Sequence, residues 1–239
     1  MLSEIYVPNV LRLLRTCGLG HVIVDCEHGY FDFQQVANLS AVSKGIGLPM
    51  LARVPNADRA LLQKLLDLGA DGILLSTTES AGQARDLVRF CRYAPEGDRG
   101  ISTFRAHTDY QSGDTAELLR RANARVILLC QIESLAAADR AVEIASVPGI
   151  DGLLTGPNDM TQRAGILGNY LDERIMSAHR KVAEAARAAG KHAGIITGNA
   201  SLMSACAAMG MNWFCIGSEL RFMAAGAKRA LTDCRECLV

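Results

Sequence analysis

Short apolar runs and helix-spaced stripes alternate along this chain almost from end to end. His21–Cys26 (HVIVDC), Leu48–Val54 (LPMLARV), Gly72–Ser76 (GILLS), Val126–Ile132, Gly152–Thr155, His192–Thr197 and Trp213–Ile216 are nearly unbroken apolar stretches. Runs of this length without polar alternation predict strands covered on both faces, as parallel sheets are. Between them the spacing turns helical. Val10, Leu11 and Leu14 form one stripe within Pro8–Arg15, with Gly18 and Gly20 ending it. Further helices are predicted at Asp32–Ser43, Asp58–Leu68, Ser80–Cys91 and Ala116–Ala122, and in the run after Ser134. Asp172–Ala189, Ser201–Met209 and Glu219–Leu231 complete the set.

Strand following helix throughout predicts a parallel α/β architecture, and the length suits a (β/α)8 TIM barrel. One element is out of place. Only seven strands stand out, and a helix opens the chain, so the first strand of such a barrel is missing or atypical. The segment Ile101–Phe104 could stand in for it, or one edge of the sheet stays unpaired. No linker or repeat interrupts the pattern, so residues 1–239 read as one domain. Tyr93–Gly113 breaks the rhythm with Gly, Arg and polar residues, which marks it for function or assembly.

Composition narrows the function. At 239 residues with 49% hydrophobic content, one large core can form. Lys and Arg balance Asp and Glu at 25 each, which leaves no electrostatic footprint for nucleic acid or an anionic membrane. No apolar run nears the roughly 20 residues of a membrane span, and no signal sequence is evident, so a cytoplasmic protein is expected. Eight cysteines in a chain this long do not form a disulfide scaffold. Cys234 and Cys237 make a lone CxxC without a second pair or a neighbouring His, a poor basis for zinc or redox chemistry.

Chemistry concentrates where strands end. Glu133 follows the Val126–Ile132 run, and Asp159 follows Gly152–Thr155 across a Gly156–Pro157–Asn158 turn. Parallel strands deliver both acids to one carboxyl-end rim, where α/β sheets and barrels place their sites. Two hard oxygen ligands there suit Mg²⁺ or Mn²⁺, with water and a chelating substrate completing the octahedron. Asp159 also stands where an acid can cap the next helix. Asp25, His28 and Arg53 end two neighbouring strands at the same rim. An imidazole beside a carboxylate can act as a general base, and Arg53 can receive a developing oxyanion. A Schiff-base mechanism lacks its amine: Lys44, Lys64, Lys181 and Lys228 read as helical, and Lys191 sits at the wrong end of a strand.

Several stretches together resemble the HpcH/HpaI aldolase family, within the phosphoenolpyruvate/pyruvate-binding barrels that include the citrate lyase β-subunit. They are VDCEHG at 24–29, LARVPN at 51–56, KLLDLGADGI at 64–73, YAPEGDRG at 93–100, QIES at 131–134, GPNDM at 156–160 and IGSEL at 216–220. The resemblance implies a class II aldolase that reversibly cleaves 4-hydroxy-2-oxo acids to pyruvate and an aldehyde. By it, Glu133 and Asp159 hold Mg²⁺, Mn²⁺ or Co²⁺, which pyruvate chelates through its carboxylate and keto oxygens. Backbone amides of the turn Gly156, Pro157, Asn158, Asp159 bind the carboxylate, and Gln131 lines the site. Arg53 stabilises the enolate oxygen. His28, paired with Asp25, moves protons through water, with Asp67 assisting near a subunit contact and Glu27 in support. The resemblance also implies a hexamer, a trimer of dimers that exchange the C-terminal helix.

The chain departs from that pattern at its start, and at Ser76-Thr77-Thr78, where many relatives carry Pro-x-Val. These departures leave room for a Claisen-type use of the same metal site, condensing acetyl-CoA with a 2-oxo acid as citrate synthase-like relatives in siderophore biosynthesis do. A non-catalytic binding protein is the third reading. Retention of the acids, the His and the Arg argues against it.

Overall fold

The computed structural model describes residues 1–238. In chain order its elements are α1 (Val10–Thr16), β1 (Val22–Asp25), α2 (Phe33–Gly45), β2 (Met50–Val54), α3 (Arg59–Asp67), β3 (Gly72–Leu75) and α4 (Ala81–Cys91). There follow α5 (Thr115–Arg125), β4 (Ile127–Ile132), α6 (Leu135–Asp139), α7 (Ala141–Ala145), β5 (Gly152–Thr155) and α8 (Pro157–Arg163). The chain closes with α9 (Glu173–Ala188), β6 (His192–Ile196), α10 (Ala200–Ala208), β7 (Trp213–Cys215) and α11 (Glu219–Cys237). Every predicted strand and helix forms, with boundaries moved by a few residues. Helix starts follow side-chain chemistry: Asp32 accepts from Gln35 N at 2.7 Å, Asp58 from Leu61 N at 2.8 Å and Asn199 from Leu202 N at 3.0 Å.

The seven strands pair in sequence order, all parallel, in one curled sheet. Side chains alternate between its two faces. Val22, Val24, Met50, Ala52, Ile73, Leu128, Cys130 and Leu153 face outward into the layer of helices. Ile23, Leu51, Leu74, Leu129, Leu154 and Cys215 face inward and meet as one cluster, so the sheet curls far enough for β1 and β7 to share a core. One pleat further along the same inward rows come Asp25, Arg53, Ser76, Gln131 and Gly156. The interior is thus an apolar plug below and a polar layer above.

Residues 1–2 span the seam between β1 and β7. Leu2 N donates to Ile23 O and Asp25 N to Leu2 O, both at 2.8 Å, which makes a parallel bridge to Val24. On the other side Met1 N reaches Gly217 O at 2.7 Å, and Glu219 N reaches Met1 O at 3.2 Å. Leu2 is fully buried. Residues 1–2 thus bridge the seam of a barrel-like sheet of seven strands. Ile101–Phe104 does not supply a further strand: this stretch is irregular, with both end residues exposed. Among the described residues no helix is long and apolar enough to cross a membrane.

Candidate active site at the carboxyl rim

A cavity of about 730 Å³ opens where the strands end. Asp25, His28, Arg53, Gln131, Glu133, Gly156, Pro157, Asn158 and Asp159 all line it. Asp67 does not. It ends α3, which runs back toward the amino ends of the strands, and it forms an ion pair with Arg99 at 2.7 Å. There it borders a separate groove of about 830 Å³ with Lys44, Asp71 and Asp109. Within one chain, Asp67 takes no part at the rim.

Asp25 and Arg53 are direct neighbours in the β1–β2 register. Arg53 Nε and Nη2 donate to the two Asp25 oxygens at 2.9 and 2.5 Å, and Glu27 stands 3.3 Å from Nε. Burial works to raise the Asp25 pKa, but the guanidinium and the N–H groups of Glu27 and His28 outweigh it and hold the carboxyl below its ordinary value. Burial likewise opposes the charge on Arg53, and the acids around it more than restore that charge. The expected Asp25–His28 pairing does not form. Asp25 meets only the backbone N–H of His28, at 3.2 Å, because Arg53 occupies its carboxylate; the imidazole stands exposed at the cavity edge.

Glu133 is buried at 3% exposure. Thr77 N and Oγ1 each donate to its Oε2 at 3.0 Å, and Gln131 Nε2 donates to Oε1 at 2.5 Å. Burial raises the Glu133 pKa, and the charges of Asp159 and Glu27 raise it further against the Thr77 hydrogen bonds. Asp159 lies in the first turn of α8, whose N-cap is Gly156. The alternative of Asp159 as a cap is thereby removed.

Sequence alone did not mark Thr77 as a residue that holds a ligand in place. It sits at φ 44°, a left-handed conformation costly for a β-branched side chain, and both its donors serve Glu133. Ser76 Oγ donates to Glu27 Oε1 at 2.7 Å. The signal was the Ser76-Thr77-Thr78 departure itself. Thr197, Asn199 and Arg221 also line the cavity and carried no sequence signal, and Ser218, within the IGSEL stretch, lines it with them.

The donor set fits a hard divalent cation. Two carboxylates on one wall repel each other, and Gln131 Oε1 is buried without a donor beside them. Among the described residues no cluster of three or more His, Cys, Asp or Glu groups forms. The ion would take two side-chain carboxylates and complete its shell with water or substrate oxygens, the habit of Mg²⁺ and Mn²⁺. Among the described residues no lysine lines the cavity.

A curled parallel sheet that brings two acids and a fixed arginine to one cavity at its carboxyl rim is the setting of a barrel-like enzyme. The chain belongs to the HpcH/HpaI aldolase/citrate lyase family, whose model matches residues 6–225. It is 30% identical to a hydroxypyruvate/pyruvate aldolase of Roseovarius nubinhibens, over 95% of this chain and 88% of that one. It is 31% identical to a 4-hydroxy-2-oxovalerate aldolase of Novosphingobium aromaticivorans, over 96% and 87%. The crystal structure of an HpcH/HpaI aldolase from Desulfitobacterium hafniense superposes with a TM-score of 0.93 at 30% identity, covering 99% of this chain and 91% of that one. The protein is a lyase.

Proposed function

We propose that the protein is a divalent-metal-dependent aldolase that reversibly cleaves a 4-hydroxy-2-oxo acid to pyruvate and an aldehyde. The carrying observation is that Glu133, Asp159 and Arg53 line one cavity, where the Asp159 charge helps raise the pKa of the buried Glu133. Glu133 and Asp159 would hold Mg²⁺, Mn²⁺ or Co²⁺, which would supply Lewis acidity to the 2-oxo acid. In cleavage the 4-hydroxyl loses its proton and the C3–C4 bond breaks. Its electron pair moves onto the keto oxygen as an enolate, and C3 then gains a proton to give pyruvate. Arg53 donates to that oxygen as charge develops, held in place by Asp25; loss of such a donor costs about 3–4 kcal/mol. His28 carries the hydroxyl proton, through water. Gln131 and the turn Gly156–Pro157–Asn158 line the place of the pyruvate carboxylate. Gly156 N is spent on Ile132 O and Pro157 has no N–H, so the donors are the N–H groups of Asn158 and Asp159, and the absence of a side-chain cap on α8 supports this.

Eight free thiols suit a reducing cytoplasm. Apart from Glu219, α11 is not buried, and Leu220, Met223 and Leu231 are exposed along it, which supports exchange between copies in a hexamer. The test is pyruvate release, coupled to lactate dehydrogenase, from 4-hydroxy-2-oxo acids before and after chelation. Mn²⁺ should restore activity in the parent protein and not in E133A or D159A. Full turnover in the chelated protein would sink the metal reading. Thiol release from acetyl-CoA with oxaloacetate, without aldol cleavage, would move the assignment to Claisen chemistry.

A further inference from the structure

We infer that Arg221 selects acceptor aldehydes that carry a carboxylate at the end remote from the carbonyl, an assignment that rests on the aldolase reading above. Pyruvate has six non-hydrogen atoms and fills a minor part of a cavity of about 730 Å³. The remaining space is bounded by the loops after β6 and β7, and Arg221 lines it. Of the two guanidinium groups on the cavity wall, Arg53 is committed to Asp25 and Glu27. Arg221 enters no ion pair among the described residues.

The other polar side chains on this part of the wall are neutral, and their oxygens already accept hydrogen bonds. Asn199 accepts from Leu202 N at 3.0 Å, Ser218 from Arg221 N at 3.5 Å, and Asn158 from the Tyr170 hydroxyl at 2.8 Å. These contacts use acceptor oxygens only, so neutral amide and hydroxyl donors remain beside Arg221, whose five N–H donors are the charged ones on this part of the wall. Its backbone is pinned while its head stays wet. Glu219 Oε1 takes the N–H groups of Ser3, Glu4 and Ile5 at 2.7, 2.8 and 3.3 Å, which ties the start of α11 to residues 3–5.

One planar fork matches a carboxylate, which it can hold with two parallel bonds. A phosphate dianion would meet a single cation here, opposite the acids Glu133 and Asp159. The monoanion is therefore the better fit.

The experiment compares kcat/KM for aldehydes of two to five carbons bearing a terminal carboxylate, each against its uncharged n-alkyl counterpart, with pyruvate and Mn²⁺ saturating. At one chain length or more, the charged acceptor should be preferred about tenfold, as expected for a partly solvated charge-assisted contact. R221A should bring that ratio close to one, R221K should restore part of it, and added salt should erode it. R229A, on the outer part of α11, should leave the ratio as it is. No charge preference at any length, or an equal loss on both acceptors in R221A, would overturn the assignment. Exchange of pyruvate's methyl protons into D2O, measured by NMR without any acceptor, separates the two levels. Exchange without charge selectivity removes Arg221 alone. Absent exchange overturns the aldolase reading and this inference with it.

Discussion

Gly156 gives the sharpest handle on the proposed metal centre. Its backbone, at φ −109° and ψ 92°, lies in the broad extended region open to any residue, so alanine there carries no conformational penalty. Space is the obstacle. A Cβ on Gly156 would fall 2.8 Å from both Glu133 Cγ and Gln131 Nε2. Carbon atoms settle at about 3.5–4.0 Å, so the Glu133 side chain must retreat by about 1 Å. Glu133 is buried and fixed by Thr77 and Gln131, so the retreat breaks hydrogen bonds or moves the strand end. Overpacking of this kind costs about 1–3 kcal/mol. With about 2–4 °C lost per kcal/mol in a domain of this size, Tm should fall by about 2–12 °C.

The functional loss should be larger than the stability loss. Ligand positions in metal sites tolerate about 0.2 Å, and a 1 Å misplacement near reacting atoms costs about a hundredfold in rate. G156A should therefore weaken Mn²⁺ binding in calorimetric titration and depress kcat by about two orders of magnitude while far-UV circular dichroism stays native. G45A, with nothing within 4 Å of its Cβ, is the matched control and should shift neither quantity. Mn²⁺ affinity and kcat in G156A within twofold of the parent would refute the claim that Gly156 makes room for a ligand.

Other substitutions probe the supporting contacts. T77V keeps the backbone strain of a β-branched residue but deletes the hydroxyl on Glu133, so Mn²⁺ affinity should fall about tenfold in the same titration. R53K keeps the charge but loses the two-pronged grip on Asp25; kcat should drop about a hundredfold with a smaller change in KM, measured by pyruvate release. His179 is fully buried with neither ring nitrogen hydrogen-bonded, and burial pushes its pKa from 6.5 down to about 4. The unfolded chain binds this proton first, so its contribution of about 3 kcal/mol is complete above pH 6.5 and is lost as pH falls toward 4. Denaturant midpoints should decline across that window and flatten in H179L; parallel curves for the two proteins would exclude His179 as the cause.

Much of this was legible because it rests on local pattern. A strand buried on both faces needs an apolar run, and a parallel sheet fixes which end of each strand faces the site, so Glu133, Asp159 and Arg53 could be placed together without coordinates. What failed was the pairing of Asp25 with His28, which register decides. His28 is three residues from Asp25 and looked like its partner. Arg53 lies directly across the ladder, and two-pronged geometry wins over proximity in sequence. Asp67 ends a helix that travels away from the rim of its own sheet, as chain direction alone shows, so the role expected of it near a subunit contact belongs to a neighbouring copy's rim. Closure of the seam was illegible for a different reason: residues 1–2 are too few to have a period.

That seam bears on how the site works. Inward rows carry one apolar layer and one polar layer, so a strand contributes to the site only through its last inward position and the loop after it. Leu2 supplies what the core requires, a fully buried side chain and two backbone bonds to β1. The next residues turn to Glu219 instead of extending the sheet, and their N–H groups converge on one carboxylate oxygen. An anion-centred clasp thus joins residues 3–5 to the start of α11, and this clasp fixes the base of Arg221. Such a clasp depends on charge. E219Q weakens every one of its three N–H contacts yet keeps the shape, so it should loosen acceptor selectivity, read as the charged-to-neutral kcat/KM ratio, while proton exchange on pyruvate persists. If E219Q instead abolished that exchange and left selectivity intact, the clasp would belong to the enolising half of the cavity, and the division of labour between the two halves would be reversed.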